Sequence, residues 1–429
     1  MNIFIGIDLG TSGCRAIAID DNKNIVHVSS TSLPTSSSQN DHIIQNPNDW
    51  WHATKTVLLD IVKNTPRHVI KAVCVNGTSG TVLLCSENGD PLTKGYMYND
   101  AASIKEANTI KQIAPINSAA HGASSGLAKC LYLESQDQRS NTSENQHCLN
   151  QADWIAGKLL QRFDSSDENN TLKMGYDPIN RCWPQWIKNL SIFKLLPKRV
   201  LSPGETYGTI NSNVAKKLGL PEDTTIVAGT TDSIAAFIAT GSKTVGDAVT
   251  SLGSTLAVKL ICEQPVFSPE HGIYSHRLGD LWLTGGASNS GGIVLKKYFS
   301  DDLIRTYSTQ INPAISTKLN YYPLIKSGER FPIADSNKPP LLTPKPKDEL
   351  LFFQGILEGI ANIEKMAFEK LSKLGAPFPN KIITMGGGSK NENWRIIREK
   401  ICNIPVINAK QTEAAYGSAL LALQTIDFS

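Results

Sequence analysis

Several features that mark other protein classes are missing from this chain of 429 residues. No apolar run approaches the roughly 20 residues that a bilayer-spanning helix needs. The 42 Lys and Arg residues nearly balance the 39 Asp and Glu residues, so charge gives no argument for a nucleic-acid or membrane partner. The N-terminus, MNIFIGIDLG, has no basic segment before its apolar residues, and we expect no signal peptide. A cytoplasmic protein is therefore expected.

Cysteine motifs are also missing. The 8 cysteines include no CxxC pair, and no histidine has a partner at metal-ligand spacing. We therefore expect reduced thiols rather than a disulfide framework or a zinc site. Hydrophobic residues make up 40% of the chain and charged residues 19%, which excludes a mainly disordered protein. At roughly 100–200 residues per domain, the length predicts about two or three domains.

The pattern of strand, glycine turn and strand occurs twice. In the first copy, NIFIGID at 2–8 and CRAIAID at 14–20 flank a glycine turn, and in the second, AVTSL at 248–252 and LAVKLI at 256–261 do so. A dinucleotide-binding unit or a P-loop would instead place a helix after the glycines. The shared Leu-Gly-hydroxyl core indicates an internal duplication of low identity.

Apolar spacing and turn residues predict further elements. These are a strand at 25–33, a helix at 50–62, strands at 71–75 and 82–85, a loop at 135–151, a strand at 225–228, a helix at about 233–240, a strand at 381–385, and helices at 392–402 and 413–423. The proline-rich segment 339–346 is expected to be a surface loop.

Three glycine turns follow apolar strands, at 10–13, 253–255 and 386–388. Glycines let successive backbone N–H groups approach phosphate oxygens, although a single turn of this kind is often only a tight turn. Because two homologous hairpins carry such turns, phosphate binding is favoured. Hydroxyl side chains that can add hydrogen bonds are Thr11, Ser12, Ser254 and Thr255.

Two aspartates stand at the ends of apolar segments. Asp8 ends the first strand, where it either caps the amides of the following turn or holds Mg²⁺ through water beside nucleotide phosphates. Asp232 begins a helix after a buried strand. It is either the N-cap of that helix or a base that accepts the proton of a sugar hydroxyl as the hydroxyl attacks a γ-phosphate.

Polar residues near other strand ends have two interpretations as well. As a set, Thr78, Ser79, Asn99 and Asp100 could recognise a polyol, although each alone is compatible with ordinary turn chemistry. Trp394, on the helix after the third glycine turn, either belongs to the core or covers an adenine ring.

The order and spacing of nine motifs resemble the FGGY carbohydrate kinases of the actin-like ATPase superfamily over essentially the whole chain. The motifs are GIDLGTSGCRAIAID at 6–20, VNGTSGTVLLCSENGDPL at 75–92, YND at 98–100, SGLAKCLYL at 125–133, ADWIAGKL at 152–159, AGTTDSIAAF at 228–237, SLGST at 251–255, MGGGSKNENW at 385–394 and TEAAYGSALLA at 412–422. Within the family, the chain is most similar to the short D-ribulose kinases of cyanobacteria and plant chloroplasts.

This resemblance implies two α/β domains of one duplicated, ribonuclease-H-like fold, with ATP and sugar in a cleft between them. The expected domains are 1–240, with the sugar side and the catalytic base, and 241–429, with the nucleotide side. The last helix, 413–423, is a candidate to pack back on the first domain. The resemblance further implies ATP and Mg²⁺ as cofactors and a monomer or homodimer that acts on a small sugar.

The resemblance assigns roles to matching positions. Asp232 matches the catalytic base, and Asp8 matches an aspartate that serves the metal, the phosphates and the sugar. Ser79, with Thr78 beside it, matches a sugar-contacting position of the short subgroup. The nucleotide-binding positions are Asp8, Thr11, Ser12, Gly13, Gly253, Ser254, Thr255, Gly387, Gly388, Asn391 and Trp394.

The pattern around Ser79 also bears on the sugar. Xylulokinases carry Gln-Met-His-Gly where this chain has Asn-Gly-Thr-Ser at 76–79, and the Arg-Glu pair of glycerol kinases is missing. The resemblance therefore implies phosphorylation of D-ribulose to D-ribulose 5-phosphate, with D-xylulose or another pentulose or polyol as the alternative. An actin-like or Hsp70-like ATPase that acts on a protein partner and a non-catalytic sugar sensor are the other classes. Asp8 and Asp232 disfavour a sensor, and a peptide-binding β domain after the second half is missing.

Overall fold

The computed structural model describes residues 1–136 and 146–426. In chain order its strands are β1 (Ile3–Leu9), β2 (Gly13–Asp20), β3 (Ile25–Ser32), β4 (Ser37–Gln39), β5 (His42–Gln45), β6 (Ile70–Gly77), β7 (Val82–Ser86), β8 (Gly95–Tyr96), β9 (Gln146–Asn150), β10 (Ser165–Asp167), β11 (Arg199–Leu201), β12 (Thr206–Thr209), β13 (Thr225–Val227), β14 (Asp247–Leu252), β15 (Leu256–Cys262), β16 (His276–Leu278), β17 (Leu281–Ala287), β18 (Lys381–Met385) and β19 (Val406–Asn408). Its α-helices are α1 (Pro47–Asn64), α2 (Ile104–Ile113), α3 (Gly126–Gln136), α4 (Gln151–Leu160), α5 (Glu168–Thr171), α6 (Gln185–Lys188), α7 (Ser212–Leu218), α8 (Asp232–Ala239), α9 (Gly292–Tyr298), α10 (Asp301–Gln310), α11 (Glu349–Lys373), α12 (Glu392–Cys402) and α13 (Ala414–Leu423).

The chain divides into two units. The first comprises Met1–Gly241 together with the residues from Gln411 on, and the second comprises Ser242–Lys410. The second unit is thus continuous in sequence, whereas the first is assembled from both ends of the chain. Helix α13 lies in the first unit rather than with the rest of the segment 241–429.

The first unit is built on a six-stranded sheet with the order β12-β13-β6-β1-β2-β3. Strand β1 pairs antiparallel with β2 and parallel with β6, and β6 pairs parallel with β13. Strands β1 and β6 are almost entirely buried, which suits parallel strands that are covered on both faces. Because β1 and β6 run in the same direction, the residues after both strands meet at one edge of the sheet.

Helix α13 packs on this sheet at very short range. A Cβ atom on Gly6 of β1 would lie 1.9 Å from the carbonyl oxygen of Ala415, and one on Gly417 would lie 1.8 Å from the carbonyl oxygen of Ala235. Only glycine therefore fits at both positions, where α13 lies against β1 and α8. The buried apolar cluster between α13 and the sheet includes Phe4 of β1 and Ala419 of α13.

A second sheet of the first unit has the order β4-β5-β8-β7-β9. Strand β9 pairs antiparallel with β7, and α3 continues to Gln136, so the loop predicted over 135–151 is wrong at both ends. Residues 137–145 of that predicted loop lie outside the described residues. The short polar stretch QHCLN at 146–150 carries no local strand signal, because its strand character comes from a partner 60 or more residues away. The other predicted strands and helices are confirmed, with ends that differ by a few residues.

The second unit repeats the sheet of the first. Its order is β16-β17-β15-β14-β18-β19, in which β14 and β15 form the antiparallel hairpin and β14, β18 and β19 run parallel. The five strands β17-β15-β14-β18-β19 therefore match β3-β2-β1-β6-β13 in order and direction. This correspondence confirms the duplication that the two hairpin sequences predict.

The prediction of reduced thiols is wrong for one pair. Cys130 on α3 and Cys148 on β9 form a disulfide, while the other six cysteines are free. The two residues meet because α3 packs beside β7, the strand that pairs with β9. The spacing of these cysteines in the sequence matches no disulfide or metal-binding motif, so local patterns did not predict the bond. Within the described ranges, 1–136 and 146–426, no helix is long and apolar enough to cross a membrane.

Candidate functional site

The first glycine turn is held by its neighbours through its carbonyl groups. Within the turn, the backbone N–H of Gly10 donates to the carbonyl oxygen of Gly13 at 3.0 Å. The carbonyl oxygen of Thr11 accepts from Gln45 Nε2 at 2.7 Å, and that of Ser12 accepts from the N–H of Leu33. The side chain of Ser12 is exposed and that of Thr11 is half-buried. The hydroxyls predicted to contact phosphate are therefore accessible while the loop itself is fixed.

Asp8 lies two residues before Gly10, in a buried position that disfavours the ionised form of its carboxyl group. Its Oδ1 atom is buried and has no hydrogen-bond partner. The pKa of Asp8 is raised to about 7, first by burial and then by the negative charge of Asp232, while Arg15 acts in the opposite direction. Two carboxylates that repel each other, one with an unpaired oxygen, form an arrangement that a bound cation would stabilise.

Asp232 is the first residue of α8, and it is not the N-cap. Thr231 occupies the cap position with extended backbone angles, although its side chain makes no capping hydrogen bond. Asp232 Oδ1 accepts the backbone N–H of Ser233 at 2.6 Å. Thr231 forms an isolated parallel bridge with Gly77 at the end of β6. This bridge places Asp232 at the same sheet edge as Asp8, which explains their electrostatic interaction.

Arg15 is a charged neighbour of Asp8 that the motifs did not identify. It lies opposite Asp8 in the hairpin register and forms an ion pair with Glu413. A symmetrical turn at 10–13 pairs residue 9 with 14 and 8 with 15, so the hairpin pattern alone could have identified it. A cavity of about 470 Å³ opens beside these groups. Its lining comprises Asp8, Gly10, Ser12, Gly13, Cys14, Arg15 and Ser30–Ser32.

In the turn after β6, the two residues predicted to contact the sugar have different environments. Thr78 is only 4 % exposed, and its hydroxyl is bonded to Thr81 Oγ1 at 2.6 Å and to Gln151 Oε1 at 3.0 Å. Its internal bonds make Thr78 a support for the turn rather than a group that faces a ligand. Ser79, by contrast, is partly exposed.

Asp100 is likewise committed to the interior. Its carboxylate accepts hydrogen bonds from His42 Nδ1 and from the backbone N–H groups of Ile43 and Ala102. The side chain is fully buried, so the polyol-recognition interpretation does not fit Asp100. Asn99 is exposed beside it.

In the second unit, two glycine turns follow neighbouring parallel strands. Gly253, Ser254 and Thr255 follow β14 and are all exposed, and Gly386–Gly388 follow β18. Gly386 has φ +86, and a Cβ atom there would lie 2.8 Å from the carbonyl oxygen of Leu252. The segment 386–388 therefore packs directly on the residue that precedes Gly253, which brings the two predicted nucleotide-binding segments of this unit together.

Trp394 does not fit the adenine-covering interpretation. Its side chain is 2 % exposed, and the indole N–H donates to the carbonyl oxygen of Leu357 at 3.1 Å. A Cβ atom on Gly388 would lie 2.6 Å from the indole ring. The tryptophan thus supports the glycine segment from the core side. Asn391 is the N-cap of α12 and accepts the backbone N–H of Trp394.

Comparisons with known proteins agree with this geometry. Residues 3–239 match the N-terminal domain of the FGGY family of carbohydrate kinases, and residues 248–425 match the C-terminal domain of the same family. A xylulose kinase of Staphylococcus epidermidis is 25% identical over 98% of this chain and 87% of its own length. A gluconokinase of Bacillus subtilis is 22% identical over 98% of this chain and 86% of its own length.

A solved structure extends the similarity to the fold. The crystal structure of a xylulose kinase from Brucella ovis superposes with a TM-score of 0.89 at 20% sequence identity, over 100% of this chain and 91% of that one. At this identity the likeness concerns the fold, which is the two-domain α/β fold of actin-like ATPase-type sugar kinases.

Proposed function

Since the chain belongs to the FGGY family of carbohydrate kinases, and therefore transfers a phosphoryl group from ATP to a sugar, we propose that its acceptor is a pentulose and that D-ribulose is preferred over D-xylulose. The observation that carries this proposal is the turn at 78–81. In this turn the side chain of Ser79, a small hydroxyl, is partly exposed, whereas Thr78 is buried and bonded to Gln151. The bulky Met-His pair that xylulokinases have at this turn is missing.

Stereochemical preference follows from hydrogen bonding at Ser79. D-ribulose and D-xylulose differ only in the configuration of the C3 hydroxyl. A site built to bond one hydroxyl leaves a buried polar group unpaired with the other epimer, which costs about 1–3 kcal/mol. Such a difference orders the two sugars without excluding either.

We assign Asp232 the role of general base. Its position at the start of α8, at the sheet edge that also holds Asp8, supports this assignment. A carboxylate there accepts the proton of the sugar hydroxyl as the oxygen attacks the γ-phosphorus atom, and the ADP oxygen leaves on the opposite side. Since phosphoryl transfer depends mainly on positioning and charge stabilisation, the base contributes only part of the acceleration.

Asp8 is proposed to hold Mg²⁺. The buried, unpaired Oδ1 atom and the nearby carboxylate of Asp232 support this fit. No group of three or more His, Cys, Asp or Glu side chains forms a metal cage within residues 1–136 and 146–426, and Mg²⁺ commonly uses one or two carboxylates with phosphate oxygens and water. When bound, the ion neutralises charge on the transferring phosphoryl group. Arg15, opposite Asp8, is positioned to add positive charge.

The remaining assignments concern the nucleotide. In the first unit, we assign phosphate contacts to Thr11, Ser12 and Gly13, whose loop is fixed through its carbonyl groups. In the second unit, Gly253, Ser254 and Thr255 are proposed for phosphate, with Gly387, Gly388 and Asn391 for the adenosine. Trp394 acts in this assignment only as the support under Gly388.

D-xylulose is the second candidate, and the names of the relatives favour it. Xylulose kinases are prominent among the related proteins, at 22–25% identity. The same set includes gluconokinases at similar identity, so this level of similarity does not discriminate among sugars.

The experiment is a coupled ATPase assay with D-ribulose, D-xylulose, gluconate and glycerol, run on the parent chain and on Ser79→Ala. We expect the highest kcat/KM for D-ribulose. In Ser79→Ala we expect kcat/KM for that sugar to fall about 10-fold while sugar-independent ATP hydrolysis is unchanged. A higher kcat/KM for D-xylulose, or a variant identical to the parent, would reject the sugar assignment and leave the kinase activity in place.

A further inference from the structure

Lys129 is a fully buried lysine whose amino group donates hydrogen bonds to two backbone carbonyls. It lies on α3, and its Nζ donates to the carbonyl oxygen of Gly80 at 2.6 Å and to that of Met97 at 2.7 Å. Its side chain has no exposed surface. Lysine is almost never fully buried unless it is paired. Two short hydrogen bonds to separate segments therefore indicate a specific task for this amino group.

The two carbonyls belong to turns that follow strands of the first unit. Gly80 is the third residue of the turn at 78–81, in which the N–H of Thr81 returns to the carbonyl of Thr78. The carbonyl of Met97 also accepts the N–H of Asp100, which closes the turn at 97–100. One side chain thus connects the turn that carries Ser79 with the turn that carries Asn99.

Ser79 lies between two residues that are held from opposite sides. On its N-terminal side, the N–H and the hydroxyl of Thr78 both donate to Gln151 Oε1 on α4. On its C-terminal side, Lys129 holds the carbonyl of Gly80. If the lysine bond were removed, Gly80 would lose its hydrogen bond to α3, while Thr78 and Thr81 on either side would remain bonded to Gln151 of α4.

The charge state of Lys129 does not determine this arrangement. Burial lowers the pKa of Lys129 to about 7, with attraction to Asp100 raising it and repulsion from Lys173 lowering it further. The carboxylate of Asp100 is already bonded by His42 and two backbone N–H groups. A neutral amine has two N–H donors and an ammonium has three, so both forms can bond the two carbonyls.

We propose that Lys129 is a positioning residue for sugar recognition, which acts through Gly80 to fix the orientation of Ser79. This inference rests on the proposed function, in which Ser79 contacts the sugar. Lys129 touches no reacting atom and takes no part in proton transfer. Its removal therefore affects sugar binding more than phosphoryl transfer or nucleotide binding.

The test compares Lys129→Met with a control on the same helix. Methionine keeps the length of the side chain and removes both donors, whereas Leu133→Ala weakens the packing of α3 without touching either carbonyl. Steady-state kinetics are measured with the best acceptor from the sugar panel, together with the melting temperature of each variant. We expect KM for the sugar to rise at least about 10-fold in Lys129→Met, with KM for ATP and sugar-independent ATP hydrolysis unchanged. Leu133→Ala should lower the melting temperature and leave KM for the sugar unchanged.

Two results would overturn the proposal. One is an unchanged sugar KM in folded Lys129→Met, and the other is an equal rise in Leu133→Ala, which would indicate general loosening of α3. If Lys129→Met does not fold, Lys129→Gln, which keeps an N–H donor on a shorter side chain, is measured with the same criteria. Because the best acceptor is used whatever its identity, failure of the D-ribulose assignment is distinguishable from failure of this proposal.

A double-mutant cycle tests the route through Ser79. If Lys129 acts through Ser79, the rise in sugar KM caused by Lys129→Met should shrink in a Ser79→Ala background. Fully multiplicative effects would show that the two residues act independently, and the proposed route would be wrong.

Discussion

The two glycine hairpins, β1–β2 and β14–β15, occupy the same place in matching sheets but differ in the residue two positions before the glycine. In the first hairpin that residue is Asp8, and in the second it is Ser251. The turns also differ in length, because Leu9 pairs with Cys14 across four residues and Leu252 pairs with Leu256 across three. Both hairpins therefore have a glycine turn, while only the first has an aspartate before it.

The turns are also held differently. The first is held by the backbone N–H of Leu33 and also by a side chain, since Gln45 Nε2 donates to the carbonyl of Thr11. The indole N–H of Trp50 donates to Gln45 Oε1 and orients this amide. The second is fixed by the backbone at the start of α9, where the N–H groups of Gly292 and Ile293 donate to the carbonyls of Gly253 and Ser254. This difference indicates that duplication preserved the place of the turn in the sheet and left its length, its support and its side chains free to diverge.

The largest effect is expected in the first unit, at Asp232, whose charge raises the pKa of Asp8. Asp232→Asn should lower kcat by about 10²–10⁴-fold, because an amide cannot accept the proton of the sugar hydroxyl. Nucleotide binding, measured by calorimetry, should be largely retained. Since Thr231 rather than Asp232 is the N-cap of α8, the melting temperature should change little. Near-normal turnover in a folded variant would refute the assignment of the base.

A smaller effect, measured in two matched variants, should distinguish the two hairpins directly. Asp8→Ala should reduce turnover by about 10²-fold or more and weaken the Mg²⁺ dependence of ATP binding, because the buried carboxylate is lost. Ser251→Ala, at the corresponding position of the second hairpin, is the matched control and should leave the Mg²⁺ dependence unchanged. Magnesium titrations by calorimetry measure both variants. Equal responses would contradict the division of chemistry between the halves.

Buried acids distinguish the two units as well. In the second unit, Glu364 is bonded twice by Arg398 and once by Thr250, so its charge is paired. In the first unit, burial raises the pKa of Asp167 to about 7. Burial, and then the negative charge of Asp167, raise the pKa of Asp153 well above its ordinary value. The hydrogen bonds to these two acids come from amides and a hydroxyl rather than from cations.

This difference predicts a modest pH effect on stability that arises in the first unit. Between about pH 4 and pH 7, the unfolded chain has released the Asp167 proton and the folded chain retains it, so stability falls as pH rises, by at most about 1.4 kcal/mol per pH unit. Asp167→Asn keeps a residue that can cap α5 and removes the titration. Melting temperatures from pH 4 to pH 8 should decline less in the variant. Parallel curves for parent and variant would contradict this account.

Local patterns predicted the hairpins, the start of α8 and the duplication, because period-two apolar spacing and glycine turns are encoded within a few residues. They did not predict which side chain of the Thr78–Ser79 pair is exposed, because that depends on Gln151 more than 70 residues away. Burial of Trp394 depends on α11, whose Leu357 accepts its indole N–H.

Long-range pairing accounts for the other failures. Strand β9 and the Cys130–Cys148 bond both depend on pairing with β7, whose residues lie 60 or more positions before their partners in β9. Arg15 is the opposite case, since the register of a symmetrical hairpin was sufficient to place it opposite Asp8. The candidate site was thus predictable where its residues share one hairpin or one helix start.

The insertion of α13 beside β1 has a consequence for the order in which the protein is made. A ribosome completes residues 1–241 long before α13 is synthesised. Until then one face of the first sheet lacks this helix, and Phe4, Ile19 and Val227 lack the α13 residues that share their buried cluster. The continuous segment 242–410 carries its own sheet and core, so it is able to fold during synthesis. The first unit, whose synthesis starts first, is therefore completed last. During that interval the nascent chain exposes an apolar face of the sheet.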